Sequence, residues 1–503
     1  MNPLGFEPLE GRQLLTSLSS PHVKSFNNPD YAISAQISPA NDPSGSGHVF
    51  QSAISVNGQA QPYSTVWLAQ GPRGYFTNVA QADSSGNYSF NAQVPKGQSE
   101  IRVFAKNTSS QYSNVTKLEV IRANPIVSWD SVALRAIQNA SLSAPEASRS
   151  LAIVHLAQYD AVAAVQFPKG AYSVQVAAPK GASADLAASA AARTVLVALF
   201  PSQSNYFNQV MDQVVAGSPK KAATQNGIEL GDKVARATLA TRLEDGSAVE
   251  SNHAPSALPG LWRPTPPEDA SALLPAWGAV KPFVLSSGSQ FRPDAPPAVG
   301  SNLYDQALAQ VTSLGQDSSS TRTTDQSDAA RNWSDGPGTI TNPGHWNKIA
   351  EDLALTRKGS LGRDARLFAM LDVAMADAGI AAFDAKYAFS TWRPISAIQQ
   401  TDPTWTPYLN TPATPSYVSD HAAFGSAAAQ VLSTVFGAKT SFTDTLYAST
   451  GAQRKFPSFA AAALENGQSG IWAGNSFSYD VQQGMSVGDK VGGFVVTRFP
   501  KAR

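Results

Sequence analysis

The 503-residue chain contains no cysteine, which excludes disulfides, thiolate metal sites and a cysteine nucleophile. Histidine is scarce. His22, His48, His155, His253, His345 and His421 are the whole set, so imidazole chemistry has few places to occur. No run of about 18 apolar residues appears, and no membrane span is expected. The N-terminus lacks the apolar core of a signal peptide. Neither sign of charge dominates, with 37 Lys plus Arg against 37 Asp plus Glu. No global field therefore favours nucleic acid or an anionic membrane. Phosphate-binding glycine loops, zinc motifs and serine-hydrolase elbows are also missing. What is present is the composition of a folded protein, 42% hydrophobic and only 15% charged. Its length suits about two to four domains.

Three textures follow one another. Residues 1–30 read as an N-terminal tag and a Ser/Pro/Asn-rich linker. Within them, Pro8-Leu-Glu-Gly-Arg12-Gln-Leu-Leu15-Thr16-Ser17 resembles a tag near the N-terminus of many planctomycete proteins. That resemblance implies export, to the cell surface or beyond it. The plainer reading is a short amphipathic start, and the residues leave the true start of the chain open. Residues 31–122 alternate with period two in short segments such as Phe50–Val56, Tyr88–Val94 and Ile101–Ala105. That pattern predicts a small β-sandwich. Asp83-Ser-Ser-Gly-Asn-Tyr88 followed by Pro95-Lys-Gly97 resembles bacterial immunoglobulin-like modules, which implies adhesion or ligand binding. A spacer is the plainer reading, since nothing chemically convergent stands out there.

From residue 123 to 503 the periodicity is helical. The spacing predicts helices including Val127–Ala140, Ala147–Val165, Arg363–Tyr387, His421–Phe436, Phe456–Asn466 and Tyr479–Phe499. The fold class is mainly α. A Pro/Trp-rich stretch from about 244 to 300 is too long for a simple connector. It is expected to wrap the helices and border the site.

Two constellations carry chemistry. In Lys386-Tyr-Ala-Phe-Ser-Thr-Trp-Arg393-Pro394, the two cations are seven residues apart. On a helix they differ by about 20° in direction and roughly 10 Å along the axis. They can converge on a tetrahedral oxyanion, arginine as a planar fork and lysine as a point charge. In Pro415-Ser-Tyr-Val-Ser419-Asp420-His421, Ser419 suits the N-cap of the helix that follows. Backbone N–H groups at a helix start favour anions, and His421 in the first turn suits proton transfer. Singly, each has a bland reading: a solvated face and a structural histidine.

Together they resemble the signature of the vanadium-dependent haloperoxidases and type-2 phosphatidic acid phosphatases, namely K-x6-R-P, then P-S-G-H, then S-R-x5-H-x3-D. Gly344-His-Trp-Asn347 and Asp377–Lys386 are similar to the secreted bacterial subgroup, and the likeness runs through nearly all of 125–503. It implies a haloperoxidase-like helical bundle. Lys386, Arg393, Ser419, Ser469 and the backbone N–H of Asp420 would hold vanadate, with phosphate as the other candidate oxyanion. His421 would be the acid–base group, and Asp480 would orient the third-motif histidine. Hydrogen peroxide and a halide would be the substrates, and a homodimer is left open.

The third motif departs from the pattern. In Ser469-Gly470-Ile-Trp-Ala-Gly-Asn-Ser476-Phe-Ser-Tyr-Asp480, Gly470 stands for the arginine and Ser476 for the histidine. That histidine makes the family's one protein bond to vanadium, and no histidine follows His421. No metal ligand is therefore assigned. Losing the arginine removes a charged donor, an interaction of roughly 1.5–3 kcal/mol. Asp420, where the family has glycine, would repel an anion about 4 Å away by roughly 4 kcal/mol at an effective dielectric constant of 20. It could instead pair with Lys386 or Arg393. Three functions stay open. One is a haloperoxidase-like protein with weak or lost activity. Another is a non-catalytic surface binding or scaffold protein. The last is a phosphate-ester hydrolase using Ser476 and His421.

Overall fold

The computed structural model describes residues 31–500 apart from 43, 44, 46, 71–75, 219, 220, 358 and 447–452. The N-terminal tag and linker lie outside the described residues. The chain divides into two compact units, residues 1–123 and 124–503.

Among the described residues of the first unit there are seven strands: β1 (Ser34–Ile37), β2 (Ala53–Gln59), β3 (Thr65–Gln70), β4 (Phe76–Gln81), β5 (Asn87–Gln93), β6 (Gly97–Lys106) and β7 (Thr116–Arg122). They form two antiparallel sheets, ordered β1-β2-β5 and β4-β3-β6-β7. β5 shows the sorting rule. Tyr88, Phe90 and Ala92 are buried, and Asn87, Ser89, Asn91 and Gln93 are exposed. A period of two puts alternate side chains on opposite faces. The buried set joins Val56, Val66, Val103 and Val120 in one core fed by both sheets.

The second unit is helical. Its elements are α1 (Pro125–Ala140), α2 (Ala144–Gln166), α3 (Ala184–Leu199), α4 (Ser204–Ala216), α5 (Lys221–Thr241), α6 (Asn302–Gly315), α7 (Thr324–Asn332), α8 (Thr341–Arg357), α9 (Leu361–Phe389), α10 (Pro394–Ile398), α11 (Asp420–Phe436), α12 (Phe459–Trp472) and α13 (Ser478–Arg498). A short hairpin, β8 (Phe442–Asp444) with β9 (Arg454–Phe456), precedes α12. The expected helix start at Phe456 is therefore corrected. Phe456 pairs with Phe442 in the hairpin, and α12 begins after Ser458, whose side chain accepts from the Ala461 N–H.

The 29-residue α9 is buried along most of its length and packs on α2, α11 and α13. Close approach of α13 to α11 needs glycine. A Cβ at Gly484, Gly488 or Gly492 would lie 2.3, 2.2 or 2.8 Å from the carbonyl oxygens of Ser419, Ala423 and Ala427. Three glycines four residues apart thus make a flat stripe on α13, and the first lies against the cap of α11.

The Pro/Trp-rich stretch is held to α9 through buried polar contacts. Asp377 accepts from the N–H groups of Phe283 (2.7 Å), Val284 (2.8 Å) and Leu285 (3.0 Å). A Cβ on Gly278 would lie 2.5 Å from the Asp384 Cα. Leu261 bridges Thr391, and the Leu273 N–H donates to the Ala413 carbonyl at 2.8 Å. The stretch therefore runs along α9 and reaches the 411–419 loop before α11.

A buried cation pair turned onto the protein

Lys386 lies in the last turn of α9, and Arg393 caps α10, where Pro394 supplies the first helical residue. Lys386 is fully buried and Arg393 nearly so. Both are turned onto acceptors of the protein itself. Lys386 Nζ donates to the carbonyls of Pro415 (3.0 Å) and Ser416 (3.3 Å) and stands 3.2 Å from Asp420 Oδ1. Those three acceptors match the three N–H groups of an ammonium. Arg393 donates through Nε to the Thr414 carbonyl (2.7 Å) and through its terminal nitrogens to Thr414 Oγ1 (2.6 Å) and the Asn475 carbonyl (2.9 Å).

Ser419 is the N-cap of α11, accepting from the Ala422 N–H at 3.3 Å. Its own N–H donates to the Asp480 carbonyl at 3.0 Å, which joins this turn to α13. Asp420 is the first residue of α11, with a side chain 23% exposed. Burial pushes its carboxyl up, but Lys386, His421 and Arg393 outweigh that and hold it at about 2. Burial also pulls Lys386 down to about 8, against the raising effect of Asp420. The partly exposed His421 ring makes no hydrogen bond among the described residues.

The third-motif residues gather beside this pair. Ser469 Oγ donates to the Asn466 carbonyl at 2.6 Å. Ser476 folds toward Gly470. A Cβ on Gly470 would lie 2.9 Å from Ser476 Oγ, and the Ser476 N–H donates to the Gly470 carbonyl at 3.1 Å. Asp480 is fully buried. Its Oδ2 accepts from Ser416 Oγ (2.5 Å) and the Phe477 N–H (2.9 Å). Among the described residues its Oδ1 has no hydrogen-bond partner. Burial raises this carboxyl to about 6 despite those two donors and the nearby cations.

Thr414, Ser416 and Asn475 escaped the sequence reading. All three act through backbone carbonyls, which leave no mark on residue identity. Ser416 could have been singled out, because it stands beside Pro415 in the second motif. His345 lies elsewhere as a packed ion pair. Its Nδ1 is 2.8 Å from Asp335 and its Nε2 2.9 Å from Asp444, and its ring stacks on Trp333. Burial opposes the charge, but the two carboxylates hold this imidazolium up to about 10. His155 is buried, with Nδ1 2.5 Å from Asp372. Tyr387 donates to the Leu273 carbonyl.

Helical architecture and a Lys–Arg–Ser–His constellation define the class as haloperoxidase-like, with its third motif degenerate. A family model, the VCPO second helical-bundle domain, matches residues 366–502, a span that contains every site residue above. Vanadium chloroperoxidase of Curvularia inaequalis is 32% identical over 193 residues, covering 31% of this chain and 32% of that protein. The chain thus matches about a third of that relative's length. The crystal structure of the first bacterial vanadium-dependent iodoperoxidase superposes with a TM-score of 0.69 at 27% identity, covering 75% of this chain and 98% of that one. A bacterial vanadium-dependent chloroperoxidase shares the fold, with a TM-score of 0.59 at 15% identity over 72% of this chain and 94% of its own. The chain belongs to the vanadium haloperoxidase superfamily.

Proposed function

We propose that this protein keeps the haloperoxidase fold around an oxyanion site that its own carboxylate has neutralised, and that it serves as a non-catalytic surface binding or scaffold protein. The observation that carries this is the Lys386–Asp420 pair at 3.2 Å, with Lys386 wholly buried and its remaining donors on two carbonyls. Vanadate bound there would have to displace a carboxylate, and a buried charge resists losing its partner. Two further features point the same way. Ser476 packs toward Gly470, where the superfamily pattern has histidine and arginine. The Asp480 Oδ1, on the residue that pattern uses to orient the histidine, has no hydrogen-bond partner among the described residues. The residues present therefore do not fit vanadate, and no halide oxidation is derived through it.

The competing reading, weak haloperoxidase activity, is favoured by the survival of Lys386, Arg393, Ser419 and His421. The phosphate-ester hydrolase reading lacks its nucleophile–base contact, since no hydrogen bond joins Ser476 to His421 among the described residues. In keeping with a surface role, we assign the first unit to the immunoglobulin-like class, from its two sheets and single core. Export follows from the N-terminal tag. A homodimer is the assembly to look for.

Calorimetric titration with orthovanadate, with phosphate as control, tests the proposal. The wild-type chain should show no saturable binding up to millimolar vanadate. The triple variant Asp420→Gly/Gly470→Arg/Ser476→His should gain it. Micromolar binding by the wild type, weakened by Lys386→Ala and accompanied by peroxide-dependent halide oxidation, would sink the non-catalytic reading.

A further inference from the structure

The three-stranded sheet of the first unit presents an outer face without charge. Its register forms rows across the strands. Ser34 lies opposite Gln59, which lies opposite Asn87. Gln36 lies opposite Asn57, which lies opposite Ser89. Ser55 lies opposite Asn91. All are exposed or half-buried, and all are hydroxyls or amides. The other sheet shows that charge is not missing from the whole unit. There Glu100 pairs with Arg102 at 3.6 Å and with Lys117 at 3.3 Å. Solvent-facing strands ordinarily carry such charges for solubility and to discourage edge pairing.

One end of this uncharged face is concave. A groove of about 410 Å³ is lined by Ser34, Gln36, Asn57, Gln59, Asn87 and Tyr88, among others. Its volume falls in the range of small-molecule sites, about 300–1,000 Å³. Cross-strand bonds fix the amides. Ser89 Oγ donates to Asn57 Oδ1 at 2.8 Å, and Gln59 Nε2 donates to Asn87 Oδ1 at 3.3 Å. Among the described residues, Asn57 Nδ2, Gln59 Oε1 and the Gln36 amide make no hydrogen bond. Donors and acceptors are thus left side by side. The carboxylate beside the groove, Asp83, is taken up by the N–H groups of Ser85 and Asn87 and by Asn87 Nδ2. At the same end of the sheet, the turn carrying Tyr63 meets the Asp83 turn, and Tyr63 is 56% exposed.

We infer that this groove binds a neutral polyhydroxylated ligand, a segment of uncharged glycan. A sugar hydroxyl both donates and accepts, as a primary amide does. A charged ligand would find no counter-ion here, and an apolar one would leave the amides unsatisfied. The exposed Tyr63 ring, on the turn that meets the Asp83 turn, offers an apolar surface for a sugar face.

The full chain should be titrated calorimetrically with maltohexaose, cellohexaose and mannohexaose, with chondroitin sulfate as the anionic control. Saturable binding of at least one neutral oligosaccharide and none of chondroitin sulfate is expected. Gln36→Ala/Asn57→Ala should weaken it by about tenfold or more through the loss of the free amides. Gln36→Lys, at the sheet edge, should weaken it too while far-ultraviolet dichroism stays unchanged. Failure of all three sugars to bind, or equal binding by the variants, would overturn the assignment. So would self-association that the variants abolish in the absence of sugar binding, which would make the face an interface between copies.

Discussion

Two of the ionic clusters buried in the helical unit solve the same problem in opposite ways. Around Lys386 and Arg393, two cations meet Asp420, Asp480 and a ring of backbone carbonyls. Deeper in the bundle, three carboxylates, Asp130, Glu351 and Asp372, meet His155 and, toward the edge, Lys348. His155 reaches Asp372 at 2.5 Å, but its Nε2 stops 3.5 Å from Asp130. Among the described residues neither Asp130 oxygen has a hydrogen-bond donor. Burial, and then the charges of Glu351 and Asp372, push the Asp130 carboxyl well above its ordinary range. The carboxylate cluster is thus biased toward the neutral acid form at Asp130, whereas the oxyanion site pairs its cation with a carboxylate. Desolvated charge must be neutralised locally. Cations have abundant carbonyl acceptors inside a protein, whereas facing carboxylates have few donors.

Breaking the cation-rich cluster should have the largest effect. Lys386→Met removes the ion-pair partner of Asp420 and should cost about 3–5 kcal/mol, the usual consequence of removing one partner of a buried pair. Lys386→Met/Asp420→Asn should recover much of that loss. Urea unfolding at neutral pH measures both. A single variant as stable as wild type would show that the pair is dispensable.

The carboxylates predict opposite pH signs. Asp480, raised to about 6, favours the folded state fully below about pH 4 and loses that contribution as pH rises through 6. Asp480→Asn should therefore gain on the wild type between pH 4 and 7, by at most about 3 kcal/mol. Asp130→Asn should show the same sign, gaining on the wild type as pH rises. Asp420 is held at about 2, so its contribution is present above about pH 4 and lost as pH falls through 2. Asp420→Asn should lose stability at neutral pH by about 2 kcal/mol. Urea midpoints across pH 4–7 read all three. A pH-independent difference for Asp480→Asn would mean that the carboxylate is already satisfied.

The helical fold was legible because its signals are local and repeated. Arg363–Tyr387 and Tyr479–Phe499 kept helical periodicity for twenty residues or more; α9 spans the first, and α13 covers the second up to Arg498. Elements with short signals were missed. α4 shows only Phe207, Val210 and Met211 on its buried face. α7 buries two alanines and announces itself mainly by the capping box of Thr323 and Gln326. The hairpin strands β8 and β9 are three residues each. At the site, side-chain spacing pointed to Lys386, Arg393, Ser419 and His421. It could not point to the carbonyls of Thr414, Pro415 and Asn475 that now satisfy the cations. Nor could spacing reveal the Asp130–Glu351 contact, which joins helices far apart in sequence.

The smallest expected effect asks how the third motif was lost. Two glycines sit against nearby atoms, with different freedom to yield. At Gly484 a Cβ would meet the Ser419 carbonyl at 2.3 Å, and backbone cannot swing aside. Gly484→Ala should cost about 1–3 kcal/mol by overpacking. At Gly470 a Cβ would meet the Ser476 side chain, its hydroxyl at 2.9 Å and its Cβ at 3.3 Å, and no backbone atom within 4 Å outside its own helix. That hydroxyl can rotate, and alanine gains up to about 1 kcal/mol over glycine in a helix. Gly470→Ala should thus be nearly neutral in urea unfolding. A cost matching that of Gly484→Ala would mean that Ser476 is locked in place. Loss of the third motif would then have reshaped the 469–480 turn, not merely exchanged two side chains on it. Restoring Arg and His at positions 470 and 476 would in that case fail to rebuild the site.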